Sequence, residues 1–254
     1  MADSPRPLIA LLTAEQRRKE EDLSRGLRDA EADAARRILA KAPTHAGLAE
    51  LIENASWFAE EMTQKFRDPK SPPVACKEGC YWCCYQNVGI TAPEAFRIVR
   101  FVMSDIAADL RAGVLERLHR LDQKVRGSSQ LSRAKMHVPC AFLHEGRCTV
   151  YAVRPLACAE ATSYDADSCK RAQRIGFPFG AVIHEKARLI AYLAVQRGLL
   201  DGLRDALPAA DCAPLELTSA VVQVLKTSDA EELWLNGGNV FSGAQLIREP
   251  EKGC

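Results

Sequence analysis

Long apolar runs are missing from this chain. No stretch of its 254 residues approaches the roughly 20 apolar residues that a membrane-crossing helix needs, so no membrane partner is expected. A dominant charge is missing too. Lys and Arg number 34 against 33 Asp and Glu, a formal net charge of +1. Such a balance supplies no overall field to draw the chain onto nucleic acid or acidic lipid, and nucleic acid is not an expected partner. Runs of alternating apolar and polar residues, the mark of half-buried strands, are also wanting, and no internal repeat is visible. Aromatic residues are few at 6%, but hydrophobic residues make up 47% and charged ones 26%. That is enough for a core, and it excludes wholesale disorder. Leu8 to Leu12 is about half as long as a signal-peptide core, and it runs directly into the charged stretch Glu15–Glu21 with no small-residue cleavage site. The expected compartment is the cytoplasm.

What the chain does have is helical periodicity. Leu23, Leu27, Ala30, Ala34 and Ile38 recur at steps of three and four, and Pro43 closes that helix. A second helix carries Leu48, Leu51, Ile52, Ala55, Phe58, Met62 and Phe66. The segment Asp68-Pro69-Lys70-Ser71-Pro72-Pro73 then breaks helix and reads as a linker. Thr91 with Glu94 three residues later is the capping-box pattern, and Pro93 suits a first turn. The helix it opens holds Phe96, Val99, Val102, Met103, Ile106 and Leu110, and a shorter one holds Val114, Leu118, Leu121 and Val125. From Pro139 to Pro178 the period is lost, and a loop is expected. Helix returns over Ala181–Leu207, again from Pro214 with Leu217, Val221, Val224 and Leu225, and once more towards Trp234. The expected fold is all-α: a helical domain over residues 71–254 with an irregular cysteine-rich segment, preceded by a helical arm over residues 1–70.

Cysteine is the residue in excess. Of ten cysteines, eight lie between positions 76 and 169, in two boxes. The first is Cys76-Lys-Glu-Gly-Cys80-Tyr-Trp-Cys83-Cys84. The second runs from Cys140-Ala-Phe-Leu through Gly-Arg-Cys148-Thr-Val-Tyr to Arg154-Pro-Leu-Ala-Cys158, with Cys169 beyond. In a reducing compartment, clustered thiols point to metal ligation or catalysis rather than to disulfides. Tetrahedral zinc–thiolate sites need sulfurs about 2.3 Å from the metal, which short intervening loops deliver. Iron–sulfur clusters ask for the same ligands at similar spacings, so zinc and iron both remain open, while soft thiolates exclude magnesium and calcium. Adjacent side chains usually diverge, so Cys83 and Cys84 are not expected on one zinc in relaxed geometry. Either two centres share the region, or one of the pair is a chemically active thiol. Cys212 and Cys254 fit neither box and are read as structural.

Arg154 lies between two of these cysteines. Its guanidinium either steadies the charge of several thiolates or binds a carboxylate of a cofactor or substrate; the alternative is an arginine that merely precedes a loop proline. Phe142, Tyr151, Tyr81 and Trp82 are expected to pack over the cluster and exclude water. His137 and His144 flank Cys140; either they replace a thiolate in a mixed site or, as is commoner, they are exposed loop histidines, whereas His184 is expected inside a helix as a packing or surface residue.

The two boxes together resemble the YkgJ-type cysteine-cluster family, described as zinc- or iron-chelating. The resemblance covers Cys76 to Cys169. It implies that Cys76, Cys80, Cys83, Cys84, Cys140, Cys148 and Cys158 form the metal-binding set, with Cys169 where a further cysteine is often found. This chain has Ala159 where an arginine commonly follows Cys158, so no role of that cation carries over. Flagellin lysine N-methylase relatives of that family imply that some members host an iron–sulfur cluster and use S-adenosylmethionine.

Three functions follow as expectations. The first is a metal-binding protein with no assigned reaction. The second is an iron–sulfur enzyme using S-adenosylmethionine, since Cys76-x3-Cys80-x2-Cys83 also matches the radical S-adenosylmethionine motif; those enzymes place it after the first strand of a β/α barrel, and no alternating strands are visible here. The third is an interaction module, in which the helical arm recruits a protein partner and zinc staples the remainder.

Overall fold

The computed structural model describes residues 13–176 and 182–247. Their regular elements are ten helices: α1 (Ala14–Lys41), α2 (His45–Phe66), α3 (Ala92–Ser104), α4 (Ala108–Val125), α5 (Gln130–Lys135), α6 (Leu156–Glu160), α7 (Ala166–Ile175), α8 (Lys186–Ala206), α9 (Leu217–Lys226) and α10 (Ala230–Leu235). Four strands of two residues each complete the set. β1 (Gly89–Ile90) pairs antiparallel with β4 (Leu215–Glu216), and β2 (Leu143–His144) pairs antiparallel with β3 (Arg147–Cys148). The all-α expectation holds, and no β/α alternation of the barrel kind occurs among the described residues.

Local chemistry explains where the helices begin. At α3 the Glu94 carboxylate accepts from the Thr91 backbone N–H at 2.7 Å and from its hydroxyl at 2.9 Å, with Pro93 in the first turn, as the capping box requires. At α1 the pair is reciprocal: the Thr13 N–H donates to the Gln16 side-chain oxygen at 2.9 Å, and the Gln16 N–H donates to the Thr13 hydroxyl at 3.2 Å. α4 buries Val114, Leu118, Leu121 and Val125, the stripe its periodicity predicts.

The buried stripe of α1 differs from the expected one. Leu27, Glu31, Ala35 and Leu39 face inward together with Ala32, while Ala30 is exposed. The reason lies on α8, which α1 packs against along its length. A Cβ at Gly202 would stand 2.8 Å from the Ala32 carbonyl oxygen. This closeness is open only to small residues, so it selects alanines rather than the bulkier neighbours. α2 also lies on α8, and the core that takes in Ala35, Leu39, Leu48 and Leu51 continues into α3, α4 and α9. Phe66, at the end of α2, is exposed. At the far end of the core Trp234 is fully buried, its ring 5.7 Å from that of Phe96, and its indole N–H donates to the Asp211 carbonyl at 2.8 Å.

The stretch from residue 139 onward is more ordered than its lack of period predicts. It holds the β2–β3 hairpin, α6 and α7. α7 is capped by Asp165, whose carboxylate accepts the Asp167 N–H at 2.9 Å, and it stops at Gly176 with φ +95°. Its buried face is Ser168, Cys169 and Ala172, too small and polar to register as an apolar stripe. His184 precedes α8 and pairs with Ser163 in a lone β-bridge, so it is outside the helix expected there.

Candidate metal centre

The first box is a chain of tight turns. Cys80 donates its N–H to the Lys77 carbonyl at 3.0 Å, closing a turn whose third residue, Gly79, has φ +82°. Only glycine takes that conformation without strain, so the turn that folds Cys80 back towards Cys76 is written in the sequence. A 3₁₀ turn, Trp82–Tyr85, then carries Cys83 and Cys84. α7 packs on this turn and sets the Lys170 ammonium 5.7 Å from the Trp82 ring. Ser163 ties Cys76 to the approach to α8: its N–H donates to the Cys76 sulfur at 3.3 Å, and its hydroxyl donates to the Ile183 carbonyl at 2.8 Å beside the Ser168 hydroxyl of α7.

The second box hangs on the first through the backbone. Cys140 donates its N–H to the Cys84 carbonyl at 2.7 Å, and Leu143 donates to the Cys140 carbonyl at 3.0 Å. Glu145 and Gly146 turn the β2–β3 hairpin with φ +49° and +77°, the two left-handed residues that a type I′ turn demands. Cys148 is thereby paired with Leu143, close to Cys140. Cys158 sits in α6, donating its N–H to the Pro155 carbonyl at 2.9 Å. The Leu156 N–H donates to the buried Glu94 carboxylate at 2.9 Å, which ties α6 to the start of α3.

Together these turns bring the eight thiols round the Cys83–Cys84 turn. Cys76 lies within electrostatic reach of Cys80, Cys83 and Cys169, and Cys169 within reach of Cys80 and Cys83. Cys84 lies within the same kind of reach of Cys83, Cys140 and Cys148, Cys148 of Cys83, and Cys158 of Cys140, Cys83 and Cys148. A small cavity, about 10 Å³, is lined by Cys83, Cys169, Thr162 and His184. Among the described residues no three His, Cys, Asp or Glu side chains are already drawn together tightly enough to hold an ion.

Electrostatics separate one thiol from the rest. A hydrogen bond from the Cys84 thiol lowers Cys83 to about 7, against the opposing effect of burial and with help from Arg154. The same bond, with burial, pushes Cys84 up. Burial raises Cys140 to about 12, holds Cys158 well above the ordinary thiol range, and lifts Cys76, Cys148 and Cys169. Burial thus disfavours the thiolate form of these groups, and a strong local cation would favour it.

Two guanidiniums stand beside the thiols. Arg154 acts on Cys83, Cys148 and Cys158, and its guanidinium lies 4.4 Å from the centre of the Tyr151 ring. Arg133 is 2% exposed, donates to the Val138 carbonyl at 2.9 Å, and leaves its Nε without a partner. Its charge is felt by Cys140. This buried guanidinium with an orphaned N–H stands beside Glu216 and one soft donor, Cys140, and the soft sulfur donors of the segment fit a thiophilic metal such as zinc or iron.

Other expectations meet mixed outcomes. Phe142 is buried in the main core, whereas Tyr151 is largely exposed and does not cover the thiols. His144 is exposed, beside Glu145. His184, which its sequence context sets aside, lines the small cavity instead, and its Nδ1 is 3.2 Å from the Thr162 carbonyl. No residue spacing signals this, because the contact comes from the bridge to Ser163. Cys212 is a buried core residue, raised to about 11 by burial, and Cys254 lies outside the described residues.

No curated protein and no solved structure matches this chain. Residues 75–175 match the CxxCxxCC family model, described as "Putative zinc- or iron-chelating domain", so the cysteine-rich segment is similar to that family over well under half of the chain.

Proposed function

We propose that this protein holds zinc or iron through the thiolates of Cys76, Cys80, Cys83, Cys84, Cys140, Cys148, Cys158 and Cys169. The observation that carries the reading is the folding of two boxes, separated by more than fifty residues of sequence, onto one Cys83–Cys84 turn, with Arg133 and Arg154 beside the sulfurs. A bound metal supplies the positive charge that makes eight neighbouring thiolates tolerable. The chain's own residues supply the rest. Turns and the hairpin fix the sulfur positions, Arg133 and Arg154 offset the excess negative charge, and Ser163 and Glu94 tie the ligand-bearing loops to the helices. A reducing compartment such as the cytoplasm suits eight unpaired thiols.

Anaerobic purification followed by metal and acid-labile sulfide analysis, with a visible spectrum, tests this. Iron with sulfide and a brown colour identifies a cluster, and would make S-adenosylmethionine binding the next measurement. A colourless protein with stoichiometric zinc identifies a zinc–thiolate site. A chain that contains neither metal and takes up neither on reconstitution overturns the proposal.

A further inference from the structure

We infer that His184 is a ligand of the metal: its Nε2 joins the sulfurs of Cys83 and Cys169 on one ion, which makes a mixed sulfur–nitrogen site. This rests on the metal-binding reading above and goes beyond it, because that reading assigns sulfur ligands alone.

The backbone brings the imidazole there. Ser163 and His184 face each other in an antiparallel bridge. In it the Tyr164 N–H donates to the Ile183 carbonyl at 2.9 Å, and the Glu185 N–H donates to the Thr162 carbonyl at 3.3 Å. Ser163 is also tied to the first box, since its N–H donates to the Cys76 sulfur and its carbonyl accepts the Ala75 N–H at 2.8 Å. The approach to α8 is thereby held against the cysteine turns. α7 carries Cys169 and packs on the 3₁₀ turn that carries Cys83. Cys83, Cys169 and His184 thus reach one small cavity from three separate elements.

The size and lining of that cavity suit a single ion. Its volume of about 10 Å³ is close to that of one water-sized sphere. Two sulfurs and one imidazole line it, and the rest of the lining is uncharged. Such a donor set favours zinc or iron over magnesium or calcium, and imidazole is as ordinary a zinc ligand as thiolate. A neutral imidazole in place of a further thiolate also adds no negative charge to a half-buried site. The donors line the cavity without closing on it, so loading draws them together.

A hydrogen bond on the ring decides which nitrogen is presented. His184 Nδ1 lies 3.2 Å from the Thr162 carbonyl oxygen. A carbonyl oxygen only accepts, so Nδ1 carries the proton and the neutral ring keeps its lone pair on Nε2. Among the described residues no hydrogen-bond donor meets Nε2. Metal-ligating histidines are held in this way, with the second nitrogen bonded to an acceptor that fixes tautomer and ring orientation. His137 and His144, nearer to a cysteine in sequence, are both exposed.

Cadmium, a spin-active substitute for zinc, is the probe, bound to the full chain with its imidazole nitrogens isotopically labelled. A through-bond coupling between cadmium and Nε2 of His184 is expected, and it should vanish in His184→Ala. The coupled ring is assigned on the wild-type chain through its own backbone resonances, so this readout survives a variant that fails to fold. Zinc affinity should fall about tenfold or more in His184→Ala. It should return in His184→Cys, whose Co(II) form should gain thiolate charge-transfer absorption. Cadmium coupled to cysteine β-protons but not to His184 would overturn the assignment and leave metal binding intact. A folded His184→Ala chain with wild-type zinc affinity and cobalt spectrum would do the same. A wild-type chain that takes up no cadmium, zinc or iron would instead remove the underlying reading, and this one with it.

Discussion

Glu94 on α3 accepts the backbone N–H of Leu156 at 2.9 Å while it caps its own helix through Thr91. One buried carboxylate thus fixes the start of the helix that presents Cys158. Glu94→Ala leaves two backbone N–H groups and a hydroxyl unmet, and should cost about 3 kcal/mol of stability. Glu94→Gln keeps one acceptor oxygen and should cost roughly a third as much. Urea unfolding checks the order, and metal titration should show the weaker retention in Glu94→Ala.

Cys80→Ser and Cys148→Ser each remove a soft donor from a different box. Both should lower metal content and thermal stability, because in such sites binding free energy is also folding free energy. Unchanged metal per chain in both variants would sink the ligand assignment.

Removal of the metal should act locally. Chelation should raise amide hydrogen exchange over residues 75–90 and 140–154, where tight turns and two-residue strands hold the backbone. The long contact of α1 with α8 rests on packing and should stay protected. Equal loss of protection in α1 and α8 would contradict this.

Glu31 carries a pH dependence. Both its carboxylate oxygens are buried without a partner between α1 and α8, and burial raises its pKa from 4.5 to about 8. The folded state therefore binds a proton that the unfolded chain has given up in that window. Stability from this group is full below 4.5, declines as pH rises towards about 8, and is flat above. The slope is about 1.4 kcal/mol per pH unit within the window. Glu31→Met should be more stable than wild type at pH 9, and it should lose about 2 to 3 kcal/mol less than wild type between pH 6 and pH 9. Parallel pH profiles for the two proteins would refute the assignment.

Two helical glycines should respond in opposite directions. A Cβ at Gly26 meets nothing within 4 Å, so Gly26→Ala should stabilise α1 by about 0.5 to 1 kcal/mol. Gly202→Ala would push against Ala32 and Ala35 and should cost about 1 to 3 kcal/mol. Thermal melts of the pair give the comparison directly.

The sequence by itself determined the elements whose causes are local. Thr91, Pro93 and Glu94 define the start of α3, and the stripe of α4 is plain in its spacing. The cysteine boxes mark the segment that chelates, because ligand type and loop length are written in neighbouring residues. Tertiary structure decided what depends on distant partners. The inward face of α1 is set by glycines on α8, more than 150 residues later, so its own periodicity points to the wrong alanines. The short helix α7 escapes notice because Cys169 and Ser168, rather than large apolar residues, make its buried face. Likewise the ties of Cys76 to Ser163 and of Cys140 to the Cys84 carbonyl depend on backbone hydrogen bonds that span dozens of residues. Spacing names the candidate ligands, but only the folded backbone decides which turns carry them side by side.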